Sequence, residues 1–233
     1  MRLDRWISQT TPLSRNDAKQ ALRAKRVQVN DVICTDGSVH IQAHDSVQLD
    51  GQHLNAATDI YLALHKPAGF CCSHDDDGYP SALQLLPASL TQIQKLHFAG
   101  RLDADTTGLV LLSSDGAWCH RVTSPKQARN KQKSYHVELA YDIDDTALQT
   151  LAAGILLHGE NKPTLPCQIQ RSASNRCTIQ LSEGRYHQVK RMFAAVGNKV
   201  LHLHRQQIAD ICLDANLPSG SYRQLSSTEI AQF

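Results

Sequence analysis

The chain has 233 residues, 41% of them hydrophobic and 20% charged, with a formal net charge of +2. That balance describes a soluble globular protein of one or two domains and excludes a disordered chain, and no run approaches the roughly 18 apolar residues of a membrane span. The opening MRLDRWISQ carries charge and no apolar signal core, and seven scattered Cys without a CxxC spacing indicate neither a disulfide framework nor a zinc ribbon, so a reducing cytoplasm is expected.

The modest net charge conceals a separation. Residues 1–26 hold seven Lys and Arg against two Asp, whereas residues 27–60 hold five Asp and no Lys or Arg. A partner responds to the local field, not to the average. Ser14-Arg15-Asn16-Asp17 reads as a capping box, with Ser14 as N-cap. On the helix that follows, Arg15, Lys19, Arg23 and Arg26 share one face and Ala18 and Leu22 another. Such a stripe is either a solvated face or a phosphate grip. Four cations without interleaved acids favour the grip.

Val27-Gln28-Val29 alternates, Asn30-Asp31 marks a turn, and Val32-Ile33-Cys34 returns, which predicts a hairpin. HLNAATDI, residues 53–60, reads as a linker, so the expected domains are 1–58 and 59–233. YLALHKPAGF then opens a new unit with a strand closed by Pro67 and Gly69. Further on, a polar, turn-rich run from Arg101 feeds the apolar Leu109-Val110-Leu111-Leu112, the punctuation of a loop leading into a buried strand. The acid-free run 121–133, RVTSPKQARNKQK, precedes Ser134-Tyr135-His136-Val137, an aromatic at the foot of a strand. Cations interleaved with Tyr and His suit a nucleic-acid groove, although spacing alone equally fits a half-buried strand aromatic at Tyr135. Residues 186–196 read as a helix stopped by Gly197-Asn198. Short strands and helices mix without a βαβ period, which predicts an α+β fold with largely antiparallel strands.

Few constellations offer chemistry by themselves. Asp103-Ala104-Asp105 could hold a metal only with further ligands, and none stands near in sequence. Asp75-Asp76-Asp77 reads as a solvated turn. His202 and His204 lack a third ligand at metal spacing. Neither a nucleophile elbow nor a phosphate-cradling glycine loop is present.

Several stretches taken together are more specific. MRLDRWI with SRNDAKQALRAKRVQVND resembles the small S-four RNA-binding domain. LHKPAGFCCS, AGRLDADTTGLVLLSSDG, KSYHVEL and EGRYHQVKRMFAAVGNKV, in that order, resemble the RsuA family of RNA pseudouridine synthases, whose members join those two domains in this order. The resemblance spans nearly the whole chain. It implies an N-terminal S-four-like domain, then a catalytic domain with a mainly antiparallel sheet flanked by helices. The implied enzyme is an isomerase of a uridine in 16S ribosomal RNA that needs no cofactor or metal. A cytoplasmic protein acting on an assembling small subunit without membrane is expected, and, with no dimer seam in the sequence, a monomer. Relatives acting on 23S or transfer RNA, and a non-catalytic RNA-binding assembly factor, are the alternatives.

The resemblance also implies roles. Asp103 is the catalytic carboxylate, acting on the sugar, on the base, or as a base towards the ribose. Lys190 pairs with it, Arg101 stands near the flipped-out nucleotide, and Tyr135 stacks on the target base and can handle a proton. Arg185 and Arg191 are expected to contact substrate, and Arg15, Lys19, Arg23 and Arg26 to hold RNA. Asp105, Thr106 and Thr107 are expected to shape the loop through hydrogen bonds. His65 departs from the Asn that relatives often carry before KPxG, a difference that bears on strand packing.

Overall fold

Ser14 caps a helix as its sequence demands. Its hydroxyl accepts from the Asp17 N–H while Asp17 reaches back to the Ser14 N–H, so both ends of the capping box are closed. The structure, a computed structural model, describes residues 1–42, 44–54, 58–76, 78–91, 95–124 and 131–233. It divides into two compact units: Met1–Asp59 with Pro87–Leu96, and Ile60–Leu86 with His97–Phe233.

The first unit begins with α1 (Leu3–Thr10) and α2 (Arg15–Arg23). Strands β1 (Val27–Val29), β2 (Val32–Ile33), β3 (Val47–Leu49) and β4 (Gln52–Leu54) make an antiparallel sheet in the order β2-β1-β3-β4. Asn30 and Asp31, at φ 51° and 64°, turn the β1–β2 hairpin with the paired positive φ values that match strand twist. Leu3, Ile7, Ala18, Leu22, Val27 and Val47 form its core. The short α3 (Ala88–Thr91) falls in the later segment grouped with this unit.

Two expectations are corrected here. Helix α2 ends at Arg23, and Lys25 adopts a left-handed φ of 60°, so Arg26 lies beyond the helix and off its cationic face. Its guanidinium instead pairs with Asp50 at 2.5 Å. Of the expected linker, His53 and Leu54 belong to β4, and residues 55–57 lie outside the described residues. Asp77, and Lys126 and Arg129 of the basic run at 125–130, also lie outside them.

The second unit follows the order β5 (Tyr61–Lys66), a 3-10 turn at Ala82–Leu85, β6 (His97–Phe98), β7 (Thr107–Ser113), α4 (Gly116–Thr123), β8 (Lys133–Leu139) and α5 (Asp145–Ala153). Then come β9 (Gln168–Ala173), β10 (Arg176–Leu181), α6 (Gln188–Ala195), β11 (Val200–Ile208), β12 (Ile211–Cys212), β13 (Tyr222–Gln224) and α7 (Ser227–Ile230). Nine strands form one sheet along the path β13-β5-β7-β11-β8-β10-β9, with β6 on β7 and β12 on β11. Among the described residues every pairing between these strands is antiparallel except β7 with β11. The fold is therefore α+β and mostly antiparallel, as the sequence predicts.

Strand alternation sorts the side chains of this sheet into two sets. Lys66, Gly108, Arg205, Tyr135 and Ile179 stand opposite one another on five neighbouring strands, so they form one row on one face. The flanking positions belong to the other face: His65 opposite Leu109, and Thr107, His204 and His136 opposite one another. Gly108 is required where β7 meets β11. Its φ is 110°, and a Cβ there would lie 2.3 Å from the Arg205 carbonyl oxygen.

Candidate active site

A lysine and an arginine on core-facing strand positions need internal partners, because a buried charge without them is costly. Lys66 is 0% exposed and donates to the carbonyls of Pro67, Phe70 and Ala104 at 2.9, 2.7 and 3.2 Å. Burial lowers its pKa, against the opposing fields of Cys72, Asp105 and Asp103. Arg205 is 1% exposed and donates from Nε to the Leu109 carbonyl at 2.7 Å and from Nη1 to the Arg101 carbonyl at 3.2 Å. Together the two cations grip the backbone on both sides of Asp103. The Gly69 N–H adds a bond to the Ala104 carbonyl, and the Thr106 N–H closes a turn on the Asp103 carbonyl. The loop of residues 101–106 is thereby fixed against β7 by groups that belong to the sheet.

Helix α6 brings the facing groups. His187 is its N-cap, held at φ 48° in the left-handed region, and Lys190 follows in the first turn. Gln188, buried, fixes this entry by accepting from the Arg185 N–H and donating to Glu183. The Lys190 ammonium donates to Asp103 Oδ2 at 2.9 Å and to Asp105 Oδ1 at 2.6 Å. His187 Nε2 stands 3.3 Å from Asp103 Oδ1. Each oxygen of Asp103 thus has a nitrogen partner, while its side chain stays 29% exposed and open to a substrate. Burial works against the charge on Lys190, but the bonds to Asp105 and Asp103 outweigh it and raise its pKa above the usual lysine value.

The other expected residues occupy different settings. Tyr135 is 9% exposed, flanked across the sheet by Arg205 and Ile179, and no partner of its hydroxyl is found among the described residues. Arg101 is exposed. Arg185 is internally committed, to Glu160 and Glu183 and to the carbonyls of Lys162 and Pro163. Arg191 donates to Glu160, 2.7 Å away, and to the carbonyls of Tyr186 and His158. Hydrogen bonds from Arg191 and Arg185 hold the Glu160 carboxyl below its ordinary pKa. In the first unit, Arg15, itself half exposed, joins Arg2 on the buried Asp4, whereas the exposed Lys19 and Arg23 make no ion pair among the described residues.

Loop shaping divides differently from expectation. Asp105 bonds Lys190, and Thr107 Oγ1 lies 2.8 Å from His204 Nδ1. The buried Thr106 hydroxyl, however, has no hydrogen-bond partner among the described residues, and it is the Thr106 backbone N–H that closes the turn. His204 contacts the rings of His65 and His136. No group of three or more His, Cys, Asp or Glu suited to a metal occurs among the described residues. Among those residues, too, no helix is long and apolar enough to cross a membrane.

Sequence reasoning missed Lys66, Arg205 and His187. Lys66 continues the buried phase of Leu62 and Leu64, and Arg205 that of Leu203. A cation on the inward phase of a strand was the available signal.

The arrangement is an oriented carboxylate, open on one side, on a clamped loop beside a wall that carries a tyrosine. Comparison with known proteins shows what the chain as a whole is similar to. Residues 60–195 match the family described as RNA pseudouridylate synthase, and residues 1–47 match the S4 domain. The chain is 46% identical over 234 residues to the ribosomal small subunit pseudouridine synthase A of Pasteurella multocida, covering 100% of this chain and 99% of that one. The protein of the same name from Escherichia coli K12 is 43% identical over 232 residues, covering 99% of each. A crystal structure of a pseudouridylate synthase superposes with a TM-score of 0.71 at 44% identity, over 100% of this chain and 99% of the other.

Proposed function

The chain belongs to the RNA pseudouridylate synthase family, and from that premise we propose that it converts a specific uridine of 16S ribosomal RNA into pseudouridine, with Asp103 as the catalytic carboxylate. Membership makes it an isomerase of RNA, preceded by an RNA-binding domain. The reaction breaks the bond from the ribose C1′ to N1 of uracil, turns the base, and joins C1′ to C5. The proton on C5 is lost and N1 gains one, so atoms balance within the nucleotide.

In this reading the uridine leaves its stack to reach the carboxylate. Extrusion costs a few kcal/mol, and an aromatic platform returns roughly 1–3 kcal/mol. Tyr135 supplies that platform, and its hydroxyl handles the C5 proton in this reading. Lys190 and His187 orient Asp103 so that neither oxygen swings away from the anomeric carbon. Arg101 meets the phosphate or sugar of the extruded nucleotide. Arg185 and Arg191 serve through the entry to α6 that they tie to Glu160 more than as free cations. Residues 1–58 form the RNA-gripping domain and residues 59–233 the catalytic domain, in a monomer acting in the cytoplasm on an assembling small subunit.

The observation that carries the role of Asp103 is the convergence of Lys190 and His187 on its two oxygens, on a loop gripped by Lys66 and Arg205. The choice of 16S RNA rests on the name borne by relatives that are similar end to end. The test is to map pseudouridines in 16S and 23S ribosomal RNA and in transfer RNA after incubation with the purified protein. A single new site in 16S RNA is expected. A site in 23S or transfer RNA alone would reassign the substrate, and none anywhere would leave an RNA-binding factor.

A further inference from the structure

Tyr186 is 73% exposed, the most exposed large apolar side chain among the described residues. A ring so placed buries little surface and adds little to folding. It is nevertheless held. Its centroid lies 3.8 Å from that of His187 with the ring planes 22° apart, a parallel stack. His187 is in turn fixed by Asp103 through Nε2 and by its left-handed backbone at φ 48°. The Tyr186 carbonyl accepts from Arg191 Nη1 at 3.1 Å. The rings and the carboxylate therefore follow one another as Tyr186, His187, Asp103, with Tyr186 outermost.

Ordering a flexible side chain against solvent normally waits for a ligand, and here the ordering is already done. An aromatic face presented to solvent beside a site for an extruded nucleotide suits the flat face of a nucleobase, and any base will serve because each has a π-face. We propose that Tyr186 is a stacking platform for a nucleobase next to the target uridine, a second base subsite separate from Tyr135. This inference rests on the reading of Asp103 as the place where the uridine reacts. The two tyrosines divide the RNA strand between them: the buried Tyr135 meets the reacting base, and the exposed Tyr186 meets a neighbour. Tyr186 so acts on affinity and register and imposes no base identity of its own.

The test uses a 16S RNA fragment bound by the full-length wild-type protein, with each nucleotide in turn made abasic. Binding is measured by filter retention for wild type and for Tyr186→Ala, Tyr186→Phe and Tyr186→Trp. Tyr186→Ala should weaken binding of the intact fragment about tenfold, whereas Phe and Trp, which keep a π-face, should hold it. At one position beside the target, an abasic nucleotide should weaken the wild type to a similar degree and leave Tyr186→Ala without further loss. Abasic penalties equal in wild type and Tyr186→Ala at every position would overturn the platform, as would unchanged binding of Tyr186→Ala. Pseudouridine formation is scored separately on the intact fragment. A position-specific abasic effect without any pseudouridine would keep the platform and refute the catalytic reading, whereas turnover with equal penalties throughout would refute the platform alone.

Discussion

Lys190 and Asp103 meet across 87 positions of sequence, with the ammonium 2.9 Å from one carboxylate oxygen while the other oxygen faces His187. The carboxylate is positioned from two sides by α6 and from beneath by its own loop. Asp103→Asn keeps the shape of that side chain and removes the carboxylate. Turnover should fall at least about a thousandfold, roughly 4 kcal/mol in the barrier. Binding should persist, because no cation that could meet phosphate is removed. Single-turnover rates and filter binding on the same RNA check both. Asp105→Asn is the companion variant. Its side chain is largely exposed and Lys190 keeps its bond to Asp103, so it should retain more than about a tenth of the rate, a loss under about 1.4 kcal/mol.

Lys190 answers to pH in a defined direction. Burial opposes its charge, the bonds to Asp105 and Asp103 outweigh burial, and the pKa is raised above 10.5. A raised base contributes stability that is fully present below its unfolded pKa and is lost as pH climbs through the folded value. Lys190→Met should therefore be less stable than wild type at neutral pH by roughly 1 kcal/mol, with the gap closing above pH 10.5. Denaturant titrations at about pH 7 and about pH 11 measure it. In catalysis, Lys190→Arg restores charge with a different reach, so the rate should fall about tenfold while the alkaline limb of the pH–rate profile stays where it was. A shift of that limb in Lys190→Arg would assign it to Lys190 itself.

Tyr135→Phe separates the ring from the hydroxyl. The ring is nearly buried between Arg205 and Ile179, and phenylalanine fills the same place. RNA affinity should be unchanged, and turnover should drop about a hundredfold or more if the hydroxyl handles a proton. Tyr135→Ala should impair both and also destabilise the sheet. Full activity in Tyr135→Phe would confine Tyr135 to stacking.

The cationic stripe of the first unit is smaller than its sequence suggests. Arg15 is drawn onto the buried Asp4 and Arg26 onto Asp50, which leaves Lys19 and Arg23 as the stripe's exposed cations without an ion pair among the described residues. The double variant Lys19→Ala/Arg23→Ala should flatten the slope of log affinity against log salt by about 1.8, at roughly 0.9 for each phosphate that is no longer neutralised. An unchanged slope returns the stripe to a solvated face. Arg15→Met should behave differently. It strips a partner from a buried carboxylate whose desolvation is offset by bonds from Arg15 and Arg2, so it should cost about 1.5–3 kcal/mol in stability.

What could be read from the chain followed the range of each interaction. The capping box at Ser14, the hairpin turn at Asn30-Asp31 and the buried strand after Thr107 are local, and each appears where expected. Asp103, Tyr135 and Lys190 were legible only as members of ordered motifs. The grips of Lys66 on the Ala104 carbonyl and of Arg205 on the Arg101 carbonyl span 38 and 104 positions and end on backbone, which leaves no trace in residue type. The tie of Arg185 and Arg191 to Glu160 was hidden for a similar reason, since Glu160 lies 25 and 31 positions away.

The parallel pairing of β7 with β11 carries a consequence in time. Thr107 and Gly108 wait for His204 and Arg205, nearly a hundred residues later, before their strand, already paired with β5, has a neighbour on its other side. Pairings so distant in sequence form slowly, since the intervening chain must be ordered before they return any energy. During synthesis the carboxylate loop emerges early, without its arginine grip, its lysine or its wall. The loop has its full set of holding contacts once β11, which ends at Ile208 of 233 residues, has closed on β7 and β8.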